Sequence, residues 1–163
     1  MVQRALVLGK EAPYFAGPCS TGKVLRSTDY FGKVPLVLFF MPSFDAQAIR
    51  TAKLFNAEFS DFRKRRTIVL GVSPAKPEIL KRFREAYHIA FEIIHDDGGV
   101  MFETFKCHGL LGRPVGHTFI ISADGVLEAI NKSGNYKKHV SDAKKHLPES
   151  NSYKLKTSDG FFD

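Results

Sequence analysis

Two short apolar runs, "PLVLFF" (35–40) and "TIVLGV" (67–72), constrain this chain more than any other feature. Neither alternates with polar residues, so each reads as a strand buried on both faces, which requires helices above and below one sheet. Between them, Ile49, Ala52, Phe55, Phe59 and Phe62 recur at spacings of three and four and give the stretch from Ala46 to Lys64 one apolar helical face. Ser43 or Asp45 can cap its start, because a short side-chain oxygen accepts from the free N–H groups of the first turn. A strand, a helix and a second strand joined in this way cross over right-handed and lie parallel.

The pattern then continues. "PAKPEILKRFREAYHI" places Ile79, Leu80, Phe83 and Tyr87 on one side of a helix, with Pro77 suited to its first turn. "FEIIHD" (91–96) is a third strand, and Asp96-Asp97-Gly98 opens a short helix over about 99–107. "GHTFIIS" (116–122) and "VLEAI" (126–130), joined by "ADG", form an antiparallel hairpin, and Tyr136 to Leu147 a last amphipathic helix. Near the start, extended pieces around Tyr14–Ala16 and Lys23–Arg26 flank the turn "STGK". The fold class is α/β, a mixed central sheet flanked by helices, and this order suits a thioredoxin-like fold with an N-terminal extension. One domain over 1–147 is expected, followed by a polar tail, 148–163, that closes on Phe161 and Phe162. That tail has too little apolar surface to fold alone and is expected to be extended or disordered.

Charge and cysteine usage narrow the function classes. The net charge of +7 favours acidic partners, and its densest cluster is Arg63, Lys64, Arg65 and Arg66. That cluster sits at a helix end, where cations suit the macrodipole. No aromatic-basic interleaving accompanies it, so an acidic surface fits better than nucleic acid. No apolar run is long enough to span a membrane. The opening "MVQRALVLGKEAPYF" has neither a signal-peptide core nor the Ser/Arg-rich length of a transit peptide. The expectation is the cytoplasm, or an organelle stroma or matrix, such as a plastid, if the chain is a processed form. Cys19 and Cys107 make neither a CxxC nor a zinc pattern, so they read as two free thiols or a redox-sensitive pair. His95, Asp96, Asp97 and His108 read as solvated polar residues of a turn, and no metal or cofactor is expected.

The order of these segments resembles a known family. "GKEAPYF" followed by "STGKVLRSTDYFGKVPLVLFFMP", then "TIVLGVSPAKPEILKRFREAYHIAFEIIHDDGGVMFETF", then "GRPVGHTFIISADGVLEAINKSGNYKKHVSDAKKHL" are similar to the peroxiredoxin family of the alkyl hydroperoxide reductase/thiol-specific antioxidant type. The bacterioferritin-comigratory protein/peroxiredoxin Q subgroup is the nearest. The resemblance covers about residues 9–147. It implies a peroxiredoxin-type thioredoxin fold and reduction of peroxide by a cysteine thiolate. The family motif is Pro, three residues, Thr or Ser, two residues, Cys. There the helix N-terminus, the hydroxyl and an arginine favour the thiolate and orient the peroxide.

Laid on that motif, Pro42 matches the proline, Ala46 stands at the hydroxyl position and Ile49 at the peroxidatic cysteine. If the loop is one residue short, Ala48 takes the cysteine position instead. The resolving cysteine of many subgroup members falls on Leu54, and the active-site arginine on Gly116, with Arg113 nearby. No cysteine occurs from 20 to 106. A carbon side chain cannot take up peroxide oxygen, so the expectation is a catalytically inactive homologue acting as a structural or interaction subunit. A thiol oxidoreductase, antioxidant or redox sensor using Cys19 or Cys107 is the alternative. Protein partners or a homodimer are expected, with Phe44, Arg63, Lys64, Arg65, Arg66, Phe161 and Phe162 as contact candidates.

Overall fold

The computed structural model describes residues 6–149. The apolar runs form the middle of a five-stranded sheet. Its strands are β3 (Leu36–Phe40), β4 (Ile68–Ser73), β5 (Glu92–His95), β6 (Thr118–Ile121) and β7 (Leu127–Asn131), in the order β5-β4-β3-β6-β7. β4 pairs parallel with both β3 and β5, whereas β6 pairs antiparallel with β3 and β7. The sheet is therefore mixed, as the two crossovers and the closing hairpin require. β1 (Ala16–Pro18) and β2 (Val24–Arg26) make a separate hairpin.

Every residue of β3 is buried, and the period of two sends alternate side chains into two cores. Leu36, Leu38 and Phe40 join Leu70, Val72, Phe119 and Phe105 on one face. Val37 and Phe39 join Phe55, Phe62, Leu80 and Val140 on the other. The second face is covered by α1 (Ala46–Ala57), α2 (Phe59–Lys64), α3 (Pro77–Tyr87) and α5 (Tyr136–Lys145), the first by the hairpin and α4 (Val100–Thr104).

Three local differences from the sequence reading have physical causes. The stretch from Ala46 to Lys64 is two helices, because Glu58, with ψ near 5°, interrupts the turn. Lys144 of α5 pairs with both Glu58 and Asp61 across that bend and holds it. On α3 only Leu80 and Phe83 are buried; Ile79 and Tyr87 stay exposed, Tyr87 resting against the Phe83 ring. The helix expected over 99–107 stops at Thr104, as the chain takes a left-handed residue at Lys106. Of the tail read as 148–163, only Pro148 and Glu149 fall within the described residues, so Phe161 and Phe162 lie outside them.

Candidate functional site

The junction after β3 is built from backbone outward. Asp45 is the N-cap of α1, and its Oδ1 accepts from the Ala48 amide at 2.8 Å. The first turn of α1 therefore opens beside the carboxyl end of β3. From the opposite side, the segment before β6 runs close by: the Phe40 amide donates to the His117 carbonyl at 2.9 Å. Between them lies a cavity of about 280 Å³, lined by Pro42, Asp45, Ala48 and Thr51 on one side and Val115 and Gly116 on the other, with Thr118 and His139.

Its buried polar groups are already paired. His139 Nε2 sits 2.7 Å from the Ser133 carbonyl, which can only accept, so Nε2 carries the proton. Nδ1 is then the acceptor for the Thr118 hydroxyl, 2.8 Å away. Burial holds the His139 pKa below its usual range, which keeps the ring neutral in this role. The Thr51 hydroxyl donates back to the Gln47 carbonyl. No cysteine lines the cavity, and its one sulfur is the Met41 thioether.

The sequence-derived positions distribute unevenly here. Pro42, Gly116 and Ala48 line the cavity, but Ala46, Ile49 and Arg113 do not. The register follows from the cap: with the helix starting at Ala46, Ala48 and Thr51 share the face toward the cavity, three residues apart. Ile49 packs instead against the core beneath the helix, and Arg113 is exposed. At Gly116, an added Cβ would lie 3.0 Å from the Phe40 carbonyl oxygen, so any side chain there needs the strand end to give.

Both cysteines are buried and unpaired, and neither borders this cavity. Cys19, in the turn after β1, places its sulfur 3.1 Å from the Thr21 hydroxyl. Cys107 is fully enclosed, and burial pushes its thiol well above the usual range, outweighing the pull of the His117 backbone N–H. Asp96, at the end of β5, is spent on structure, accepting from the Met101 and Phe102 amides at 2.8 and 3.0 Å. Among the described residues, no three His, Cys, Asp or Glu side chains come together as a metal site would need.

The partner-contact candidates differ from their sequence reading too. Phe44 stacks on Phe83, ring centroids 4.7 Å apart, and so is used within the chain. Arg65 bridges to Asp61 and donates to the Lys144 and Pro148 carbonyls, tying α2 to the end of α5. Arg63 and Lys64 remain exposed, and Arg66 is half-buried in a left-handed backbone conformation. Two apolar residues that sequence reasoning passed over stand out instead: Leu110 and Leu111, 87% and 89% exposed, at the tip of the loop leading to Val115 and Gly116. Their only sequence signal is an apolar pair inside the Gly-rich "HGLLGR", with no period to claim it for a core.

With this geometry in hand, the family comparison has a clear footing. The sequence profile of the AhpC/TSA family matches residues 8–130. The chain belongs to that family. Peroxiredoxin Bcp of Escherichia coli is 29% identical over 132 residues, covering 77% of this chain and 85% of that protein. The chloroplastic peroxiredoxin Q of Populus jackii is 28% identical over 143 residues, covering 85% and 67% respectively. In shape, the crystal structure of peroxidoxin BcpB from Mycobacterium tuberculosis aligns with a TM-score of 0.79 at 23% identity, over 87% of this chain and 96% of that one. A peroxiredoxin Q from Xylella fastidiosa aligns at 0.74 and 18% identity, over 88% and 98%. The peroxiredoxin-type thioredoxin fold is thus shared along most of both chains. Among the described residues, no helix is long and apolar enough to cross a membrane.

Proposed function

We propose that this peroxiredoxin-family chain does not reduce peroxides and works by binding a protein partner through the face that surrounds the emptied cavity. The single observation that carries this reading is the cavity lining. It keeps Pro42 and the helix N-terminus but offers Ala48 and Gly116 where the family's chemistry needs a thiol and an arginine. Thiolate attack on peroxide requires an accessible, low-pKa sulfur. Here both thiols are buried, and that of Cys107 is pushed upward. The same observations count against a redox sensor built on Cys19 or Cys107.

For the binding half of the proposal, the support is Leu110 and Leu111. Two almost fully exposed leucines on a loop tip bury nothing in the isolated chain. Leu111 also holds a left-handed conformation, φ +59°, which is strained for a branched side chain. Apolar residues displayed in this way suit an anchor that fills a partner's pocket.

Peroxide consumption with thioredoxin or glutathione as reductant should stay at the buffer rate for the native chain and for Cys19→Ser/Cys107→Ser alike. Turnover by the native chain that disappears in the double variant would sink the first half. Sedimentation velocity and pull-down of the native chain should show a stoichiometric complex that Leu110→Asp/Leu111→Asp dissociates. A chain monomeric and partnerless throughout, or a complex indifferent to both substitutions, would sink the second.

A further inference from the structure

A second cavity lies at the other end of the sheet. Its volume is about 320 Å³, at the lower end of the range for sites that hold small organic ligands. It opens where β4 and β5 begin, bordered by Thr67, Ile68 and Ala90, beneath the β1–β2 hairpin. The pairing register fixes the separation of the two sites. Ile68 sits opposite Leu36 at the start of β3, whereas the first cavity borders Phe40 and Pro42 at its end.

The hairpin docks on the sheet at β5. Gly17 approaches β5 so closely that an added Cβ would meet the Ile94 methyl at 2.6 Å, and Cys19 forms an isolated antiparallel bridge to Ile94. Docked there, the hairpin places Thr21, Lys23 and Leu25 over the amino ends of β4 and β5, and the space lies between them. The walls are apolar: Leu25, Ile68, Leu70 and Phe91 all border the space.

The charges on the lining are one-sided. Lys23 and Arg63 both border the cavity and both are exposed. Glu92 is the only acid in the lining, and it is already engaged: Arg84 Nη1 lies 3.0 Å from its Oε2, and the Ser20 hydroxyl 3.2 Å. Two cations therefore stand over an apolar hollow whose one carboxylate is neutralised from behind. Tyr30 adds a protonated hydroxyl, since burial and its acidic neighbours push its pKa up to about 12.

We infer that this cavity binds a small organic anion, a compact apolar body of aromatic size carrying one carboxylate, with the body against Leu25, Leu70 and Phe91 and the carboxylate at Lys23 and Arg63. The apolar walls supply burial, and the paired cations select charge at the mouth. This site is independent of the emptied cavity, and its occupancy says nothing about peroxide reduction.

The test is methyl-resolved NMR of the full chain titrated with 2-naphthoate, with 2-naphthamide as its neutral isostere. Saturable shifts are expected at the Leu25, Ile68 and Leu70 methyls and not at Val115, with a Kd of about 1 mM or tighter for a ligand of that size. The amide should bind at least about fivefold more weakly, and Lys23→Gln and Arg63→Gln should each weaken the naphthoate by about three- to tenfold. Ala90→Trp, at the exposed mouth, should abolish binding by filling it. The inference is overturned if no saturable shift occurs at these methyls, if they centre on Val115, if amide and carboxylate bind alike, or if neither charge substitution matters.

Discussion

The two ends of the central sheet carry opposite designs. At the carboxyl end of β3, where the family keeps its chemistry, the cavity retains Pro42 and a helix N-terminus, yet its buried polar groups are paired among themselves. At the amino ends of β4 and β5, a cavity of similar size has apolar walls, two exposed cations and a thiol that nothing in the family pattern requires. The peroxiredoxin-type fold holds its shape around a cavity that no cysteine lines. The shape comes from backbone pairing and from the two cores, and neither depends on the sulfur. Beside that cavity, Thr118, His139 and Ser133 close a hydrogen-bonded network.

Four perturbations sharpen or break this contrast, the largest first. His139→Ala removes a buried ring bonded at both nitrogens and leaves the Thr118 hydroxyl and Ser133 carbonyl without it. The expected loss is about 3 kcal/mol or more in urea unfolding, from the cavity and the broken network together. A loss below about 0.5 kcal/mol, the level of a neutral surface change, would show that the carboxyl-end network is not structural. Gly17→Ala pushes a Cβ against Ile94 and the His95 carbonyl, at 2.6 and 3.0 Å. An expected cost of about 1–3 kcal/mol should come with faster amide exchange in the hairpin, because overpacking here undocks the lid of the second cavity. Unchanged exchange would mean that the hairpin is held elsewhere.

A reporter thiol resolves the register of the first cavity. Cysteine introduced by Ala48→Cys should react with a thiol reagent about tenfold faster than that from Ile49→Cys, since only position 48 faces the cavity at the helix N-terminus. Adding Asp45→Thr should raise the rate further. The Asp45 carboxylate accepts from the Ala48 amide and opposes a second negative charge beside it. Equal rates at 48 and 49 would refute the register.

The smallest effect is a pH dependence. His117 Nδ1 is the one buried side-chain nitrogen or oxygen without a partner among the described residues. Burial lowers the His117 pKa from 6.5 to about 4, helped by Lys132 and His139. Because the unfolded chain binds the proton more readily, this stability is fully present above about pH 6.5 and is lost as pH falls toward about 4. His139, also lowered, adds to the same fall. His117→Leu should flatten the slope of the urea midpoint across that window, leaving the His139 share. A slope unchanged by the substitution would assign the whole effect to other groups.

Much of the fold was legible in one dimension. The runs at 35–40 and 67–72 are the buried parallel pair, the "ADG" turn joins antiparallel neighbours, and Asp45 is one of the two caps anticipated for α1. The bend at Glu58 was not legible, because apolar spacing continues through it and Lys144, which pairs with Glu58 and Asp61 across it, lies far along the chain. The partner candidates read from composition fared unevenly for the same reason. Phe44 finds Phe83 and Arg65 finds Asp61 and the end of α5, contacts that only folding creates.

The sequence by itself determined the order of elements along the chain and the absence of a cysteine between 20 and 106, since these follow from periodicity and residue identity, and its motifs carried the resemblance to the family. Only the tertiary structure decided that Ala48 rather than Ile49 faces the cavity, because a one-residue shift in where a helix begins rotates every side chain by about 100°. It alone brought Thr118 to His139 and set Lys23 and Arg63 over one apolar hollow. Each pair joins residues far apart in the chain, and their proximity depends on how the sheet and the hairpin pack.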